Sequence, residues 1–236
     1  MNRPLIIAHR GDSSRALENS LEAFRLALSI PVDMIEFDVR KSRDNVLYVM
    51  HDERTGKTCD IDIDIEMSLG TDIEKVKLRN GELIPTLTDV LTLVNGKVCL
   101  NIEVKSNGAG ALTAAHIAGL GYKGELLISS FKEHEVLDVK RVLPNVPVAG
   151  IFDDFSVSEV SAYKRMDYHF ISLRKQTVTQ DLVAALHERS IKVYVWTVDE
   201  EEEMERLIGW GVDGIYSNKP EVLLRVRNAE CGVRNG

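Results

Sequence analysis

Two histidines, each beside a charged residue, end apolar runs early in the chain: His9-Arg10-Gly11 and His51-Asp52. Between them, Glu36 and Asp38 stand two apart inside Met-Ile-Glu-Phe-Asp-Val, and Glu103-Val104-Lys105 ends a further apolar run. A packed core has no use for so many ionisable groups at the ends of apolar segments. Residues two apart on a strand share a face, so Glu36 and Asp38, with Glu103 from the next strand, offer three oxygen ligands to one hard cation. An all-oxygen set suits Mg²⁺ or Ca²⁺ better than zinc. Imidazoles titrate near neutrality, so one can take a proton from a nucleophile while the other gives one to a leaving alkoxide. Arg10 can bind a phosphate oxygen bidentately, and Lys105 can offset charge on another. Together these groups form a kit for cleaving a phosphoryl ester. Trp196 and Phe131, toward the ends of the seventh and fourth apolar runs, could wall a substrate slot, and Trp196 could face a quaternary ammonium. Ordinary packing below the mouth of the site accounts for both equally well.

Such residues work only if a scaffold brings them to one place. Apolar runs at 5–9, 34–39, 98–104, 126–130, 148–152, 169–173, 193–198 and 214–217 alternate with helical patterns near 20–29, 87–94, 111–120, 133–142, 157–164, 180–188, 200–208 and 220–226. The runs are rich in Ile, Val, Leu and Phe and mostly lack polar alternation, as strands covered on both faces do. Eight of each predict a closed parallel (β/α)₈ barrel, whose strand ends converge on one mouth; a doubly wound open sheet shares the local pattern. The segment 46–51 follows the second run too closely for a helical crossover, so it reads as an extra antiparallel arm. Residues 53–85 then form an irregular insertion. Asn19 with Glu22 resembles a capping box, Asp199 precedes a glutamate run at a helix start, and Gly121 and Gly211 sit just past helix ends.

The chain has 236 residues, which suits one barrel of about 250, and its 44% apolar content suffices for a core. A net charge of −8 argues against nucleic-acid binding by charge alone. Phosphate chemistry must therefore rest on local cations or a metal. Three cysteines, Cys59, Cys99 and Cys231, are scattered without CxxC spacing, so reduced thiols are expected rather than disulfides or a zinc cluster. The first apolar run is too short for a signal peptide and no stretch approaches the ~20 apolar residues of a membrane span. A cytoplasmic protein without stable membrane insertion is expected; a homo-oligomer stays open. Asp60, Asp62, Asp64 and Glu66 mimic the start of a calcium loop, but Ile65 replaces its glycine and Thr71 its final glutamate, so an extended segment with one solvated acidic face is expected. Gly108-Ala109-Gly110 reads as a helix start rather than a dinucleotide loop, Thr113 standing where the third glycine belongs. His116, His134, His169 and His187 have no evident partner and are read as structural or exposed.

The order of motifs resembles the glycerophosphodiester phosphodiesterases. The matching segments are His9-Arg10-Gly11, Glu18-Asn19-Ser20, Ile35-Glu36-Phe37-Asp38-Val39, His51-Asp52, Ile84-Pro85-Thr86-Leu87, Glu103-Val104-Lys105, Ser129-Ser130-Phe131, Trp196-Thr197-Val198-Asp199 and Gly211-Val212-Asp213-Gly214-Ile215. The resemblance implies a TIM (β/α)₈ barrel over 1–236, with a small insertion at about 53–85 after the second strand. It implies His9 and His51 as the acid–base pair, a divalent metal on Glu36, Asp38 and Glu103, and phosphate contacts from Arg10 and Lys105. The implied substrate is a small glycerophosphodiester, cleaved to glycerol 3-phosphate and an alcohol. The rivals are a lysophospholipase D or related phospholipase on a similar barrel, and a silent binding barrel, which the retention of all five acid–base and metal residues disfavours. This chain departs from the family pattern at Leu17, Ser20, Lys57 and Asn218, positions expected to lie away from the acid–base and metal groups.

Overall fold

Eight apolar runs become eight parallel strands because each is buried on both faces, one by barrel interior and one by helices. The strands are β1 (Leu5–His9), β2 (Met34–Lys41), β4 (Cys99–Val104), β5 (Leu126–Ser130), β6 (Val148–Phe152), β7 (Phe170–Arg174), β8 (Lys192–Trp196) and β9 (Gly214–Ser217). In this computed structural model, which describes residues 3–165, 168 and 170–233, they pair in sequence order, and β1 closes the ring by pairing with both β2 and β9. His169, at the expected start of the sixth barrel strand, and the side chain of Cys231 lie outside the described residues. Helices α1 (Leu21–Leu28), α3 (Leu87–Val94), α4 (Gly110–Leu120), α5 (Glu133–Val142), α6 (Val160–Arg165), α7 (Gln180–His187) and α8 (Glu201–Trp210) supply the crossovers, and α9 (Pro220–Val233) follows the last strand and packs on α8 and β1. The main core lies between strands and helices, around residues such as Phe24, Phe37, Leu100, Ile128, Val193 and Leu207.

β2 is the strand that matters most for the site. At eight residues it overshoots the barrel: its first part pairs with β1 through Met34, Ile35 and Glu36. Beyond Asp38 the same edge is taken by β3 (Leu47–Val49), antiparallel, with Val39 opposite Val49. The expected arm therefore exists and is shorter than its apolar run. The insertion that follows holds a short helix, α2 (Gly70–Ile73), isolated bridges such as Cys59 to Leu78, and its own small core of Tyr48, Met50, Cys59, Ile65, Ile73 and Leu78 among others.

Three local expectations change. The cap of α1 is Ser20, whose side chain accepts from the Ala23 amide, while Asn19 adopts a left-handed φ of 59° and sends its amide elsewhere. Asp199 does not cap α8; Glu200 occupies that position without a side-chain bond. The acidic face is solvated only in part: Asp60 and Asp62 are exposed, accepting from the amides of Lys77 and Gly56, whereas Glu66 turns in to pair with buried Arg40. Gly121 and Gly211 do end α4 and α8 in left-handed conformation, where a Cβ would be disfavoured.

Candidate active site

Register brings the carboxylates together. Glu36 stands beside His9 of β1 and Asn101 of β4, and Asp38 stands beside Glu103. Ligand oxygens of Glu36, Asp38 and Glu103 all lie within 4.8 Å of one another. Glu36 and Asp38 are almost wholly buried, so their charges oppose each other in a poorly solvated place. Burial, then the neighbouring Asp38 and Glu103, push Glu36 well above the usual carboxylate range. Burial and Asp38 likewise raise Glu103 to about 7. Asp38 goes the other way: burial would raise it, but Arg10, Lys105 and His51 outweigh that, and the Asn19 amide adds to them, so it falls to about 2.

Two cations sit against this trio. Arg10 Nε lies 3.3 Å from Asp38 and Lys105 Nζ lies 3.6 Å from it, with Lys105 also 2.6 Å from Glu103. Arg10 additionally reaches Glu18, which is held on its far side by Lys57 of the insertion. The His9-Arg10-Gly11 corner makes this possible. Arg10 and Gly11 have φ of 56° and 81°, and the Arg10 amide then donates to Glu36 at 3.0 Å. At Gly11 a Cβ would come within 2.7 Å of the Ala23 carbonyl carbon, so only glycine fits this close approach to α1.

Both histidines border the same cavity as Glu36 and Glu103. His9 Nε2 is 4.0 Å from Glu36, and its Nδ1 is 2.7 Å from Asn218 Oδ1. The orientation of that amide is fixed by its other end. Asn218 Nδ2 donates to Asp199 at 2.7 Å, and an ionised carboxylate can only accept. The amide oxygen therefore faces His9, accepts from Ser13 as well, and requires the proton on Nδ1. Nε2 is left bare toward the cavity. Burial, then Arg10, lowers the His9 pKa to about 4, so it is neutral at pH 7. His51 bonds Asp52 through Nδ1 at 2.6 Å, and burial lowers its pKa as well, against the pull of Asp38.

These groups line one cavity of about 210 Å³: His9, Arg10, Glu36, His51, Glu103 and Lys105 on one side, and Phe131, Ile151 and Trp196 among those on the other. Its floor includes Asn101, Ser172 and Tyr216, joined by hydrogen bonds of 2.9 and 3.0 Å to the tyrosine hydroxyl. Phe131 and Trp196 pack edge to face with centroids 5.7 Å apart, and Lys105 sits 5.4 Å from the Phe131 centroid. Larger clefts, of about 660 and 850 Å³, open among residues such as Leu5, Lys97, Cys99, Tyr122 and Lys192 at the opposite end of the barrel. Size does not select the site; the convergence of ionisable groups does.

The donor set fits a divalent cation. Asp38 Oδ1 is buried and accepts no hydrogen bond among the described residues. Three crowded carboxylates, two with raised pKa, gain from a hard cation that removes their mutual repulsion.

All eight residues singled out for chemistry lie in or against this cavity, Asp38 behind the cations. Sequence reasoning missed four partners. Asn218, expected to lie apart from the acid–base groups, touches His9. Asn19 donates to Asp38 at 2.8 Å. Glu18 bridges Arg10 and Lys57, and Glu66 holds Arg40. Each joins residues far apart in sequence or across an insertion with no regular pattern, so no spacing announces it. Of the other histidines, His116 meets Thr88 at 2.8 Å, His134 meets Glu135 at 3.0 Å and His187 meets Asp213 at 2.8 Å. They have partners after all, and those partners are structural.

Comparison with known proteins points the same way. Residues 9–222 match the model of the glycerophosphoryl diester phosphodiesterase family. A glycerophosphodiester phosphodiesterase of Caldanaerobacter subterraneus is 32% identical over 95% of this chain and 98% of its own. The fold matches a phosphodiesterase of Oleispira antarctica, solved in complex with the product sn-glycerol-3-phosphate, with a TM-score of 0.88 at 23% identity over 94% of this chain and 96% of that one. A glycerophosphodiester phosphodiesterase from Parabacteroides distasonis gives 0.86 at 25% identity, covering 98% and 99%.

Proposed function

Because the chain belongs to the glycerophosphoryl diester phosphodiesterase family, we propose that it hydrolyses small glycerophosphodiesters to glycerol 3-phosphate and an alcohol, with a divalent cation on Glu36, Asp38 and Glu103. The observation that carries this reading is the trio of crowded carboxylates between two histidines whose partners leave both Nε2 atoms for the cavity. When bound, the cation supplies Lewis-acid polarisation of a phosphoryl oxygen and neutralises developing charge. Arg10 and Lys105 line the same space and, drawn from Asp38, bind the remaining phosphate oxygens. One histidine accepts the proton of the attacking hydroxyl, from water or from the glycerol itself, as its oxygen bonds to phosphorus; attack by glycerol gives a cyclic phosphate, which a water then opens to glycerol 3-phosphate. The other must enter the step as an imidazolium, with a proton on Nε2 as well as Nδ1, and gives that Nε2 proton to the alkoxide as the second P–O bond breaks. Phe131, Ile151 and Trp196 wall the slot against water, and Trp196 offers a ring face to a head group such as choline. A cavity of about 210 Å³ is smaller than typical ligand pockets of roughly 300–1,000 Å³, which favours a glycerophosphate unit over an acyl-bearing one.

The test offers the purified protein glycerophosphocholine, glycerophosphoethanolamine and lysophosphatidylcholine, after metal stripping and with Mg²⁺ or Ca²⁺ restored. Turnover of the first two should vanish on stripping and return with metal. His9→Ala and His51→Ala should each lower kcat by about 10²-fold or more. Full activity in a chelator removes the carboxylate assignment. Undiminished turnover in either histidine variant removes the acid–base assignment, and a preference for lysophosphatidylcholine replaces the substrate class.

A further inference from the structure

His51 leaves β3 where regular pairing ends. Met50 makes the last ladder bond, its amide donating to the Asp38 carbonyl at 3.1 Å. The carbonyl of His51 is instead taken by a side chain: Arg40 Nε donates to it at 2.7 Å. Arg40 lies on the same face of β2 as Glu36 and Asp38, beyond the barrel rim, and is itself only 7% exposed. A guanidinium so buried needs a full set of acceptors. Its Nη1 finds Glu66 at 2.8 Å, in the middle of the insertion. The same Glu66 oxygen accepts from Ser106 Oγ at 2.7 Å, and Ser106 Oγ accepts from the Lys41 amide at 3.1 Å. Ser106 directly follows Lys105. One carboxylate of the insertion thus gathers the end of β2, the His51 turn and the loop that carries Lys105.

The carbonyl that Arg40 grips belongs to the peptide linking His51 to Asp52. Fixing that peptide plane fixes both the imidazole and the carboxylate bonded to its Nδ1. The rigid fork of Arg40 suits this task, because Nε and Nη1 hold a set angle to two acceptors at once. We infer that Arg40 and Glu66 are positioning residues for His51: the insertion, through this strut, sets where the His51 imidazole stands relative to the carboxylate trio. The inference rests on the role given to His51 above, and gives the insertion a part in the chemistry.

The test compares Arg40→Lys, Glu66→Ala and Glu66→Gln, alone and in the His51→Ala background, with folding checked by thermal denaturation. A single ammonium keeps the charge of Arg40 but cannot serve both acceptors in a fixed plane. Arg40→Lys and Glu66→Ala should each lower kcat by about 10- to 100-fold, as a displacement near 1 Å does. KM and Ca²⁺ affinity measured by calorimetry should stay within about twofold. Glu66→Gln, which keeps an acceptor oxygen, should recover most of the rate. In the His51→Ala background neither Arg40→Lys nor Glu66→Ala should cost anything more, since the residue they position is gone. An unchanged kcat in folded Arg40→Lys and Glu66→Ala overturns the inference. So does an equal loss in the His51→Ala background, or a loss confined to KM or metal affinity. Should Arg40→Lys not fold, the Glu66 pair decides alone. Full activity of His51→Ala would instead remove the underlying reading of the site, a distinguishable failure.

Discussion

Asn218 shows what a single atom decides. With its oxygen toward His9, the amide accepts from Nδ1 and so sets the tautomer, while burial and Arg10 keep the ring neutral. A carboxylate at 218 would favour the imidazolium instead. Asn218→Asp should therefore raise the His9 pKa from about 4 and carry the acid limb of the kcat/KM profile to higher pH. A pH–rate series from 4 to 8 measures this, and a profile that stays in place removes the tautomer assignment. At this scale the sequence was half legible. The ionisable residues could be named because carboxylates and histidines inside apolar runs are costly, and cost implies use. Their partners could not, because Asn218 meets His9 across 209 positions and Asn19 meets Asp38 across 19. Closure of the ring sets those pairings, and no local pattern carries it.

Among the elements, strands were the easiest to read. Burial on both faces leaves an unbroken apolar run, and the observed bounds shift from the expected ones by only a residue or two. Helix caps were harder, since Asn19 and Ser20 are both capping types and only the backbone conformation tells them apart. The start of α4 shows a device with no local trace. Ala109 cannot cap it, and the buried carboxylate of Glu135, from α5, accepts from the amides of Gly108 and Gly110 at 2.5 and 2.6 Å. These bonds anchor the chain just after Glu103 and Lys105. Glu135→Ala would leave the buried Gly110 amide unsatisfied and that of exposed Gly108 to water, and should cost about 1–3 kcal/mol. Chemical denaturation of the variant measures it. Activity per folded molecule should fall less than stability, because Glu135 touches none of the reacting groups; a stable variant would mean that water replaces the carboxylate fully.

For the molecule as a whole, the site is a store of unfavourable charge that the proposed cation would relieve. Glu103 titrates near 4.5 in an unfolded chain and about 7 in the fold. A raised carboxyl stabilises the fold below the unfolded value, and that contribution is lost as pH rises through 7. Glu36 is raised as well and adds to the same trend. His9 works oppositely: its pKa falls from 6.5 to about 4, so its contribution is full above 6.5 and lost as pH drops toward 4. The metal-free protein should therefore gain little between pH 5 and 8, whereas a cation needs both glutamates ionised and releases their protons on binding. The rise in Tm produced by saturating Ca²⁺ or Mg²⁺ should grow steadily from pH 5 to 8. Glu103→Gln separates the two effects. It should raise the metal-free Tm at pH 8, where Glu103 would otherwise be a charge beside Asp38, and it should abolish most of the metal-dependent rise. Differential scanning calorimetry of both proteins with and without cation measures each arm. A Glu103→Gln protein less stable than its parent at pH 8 without metal would mean that the bond from Lys105 to Glu103 outweighs the repulsion, and that the trio is held together by cations of the protein itself.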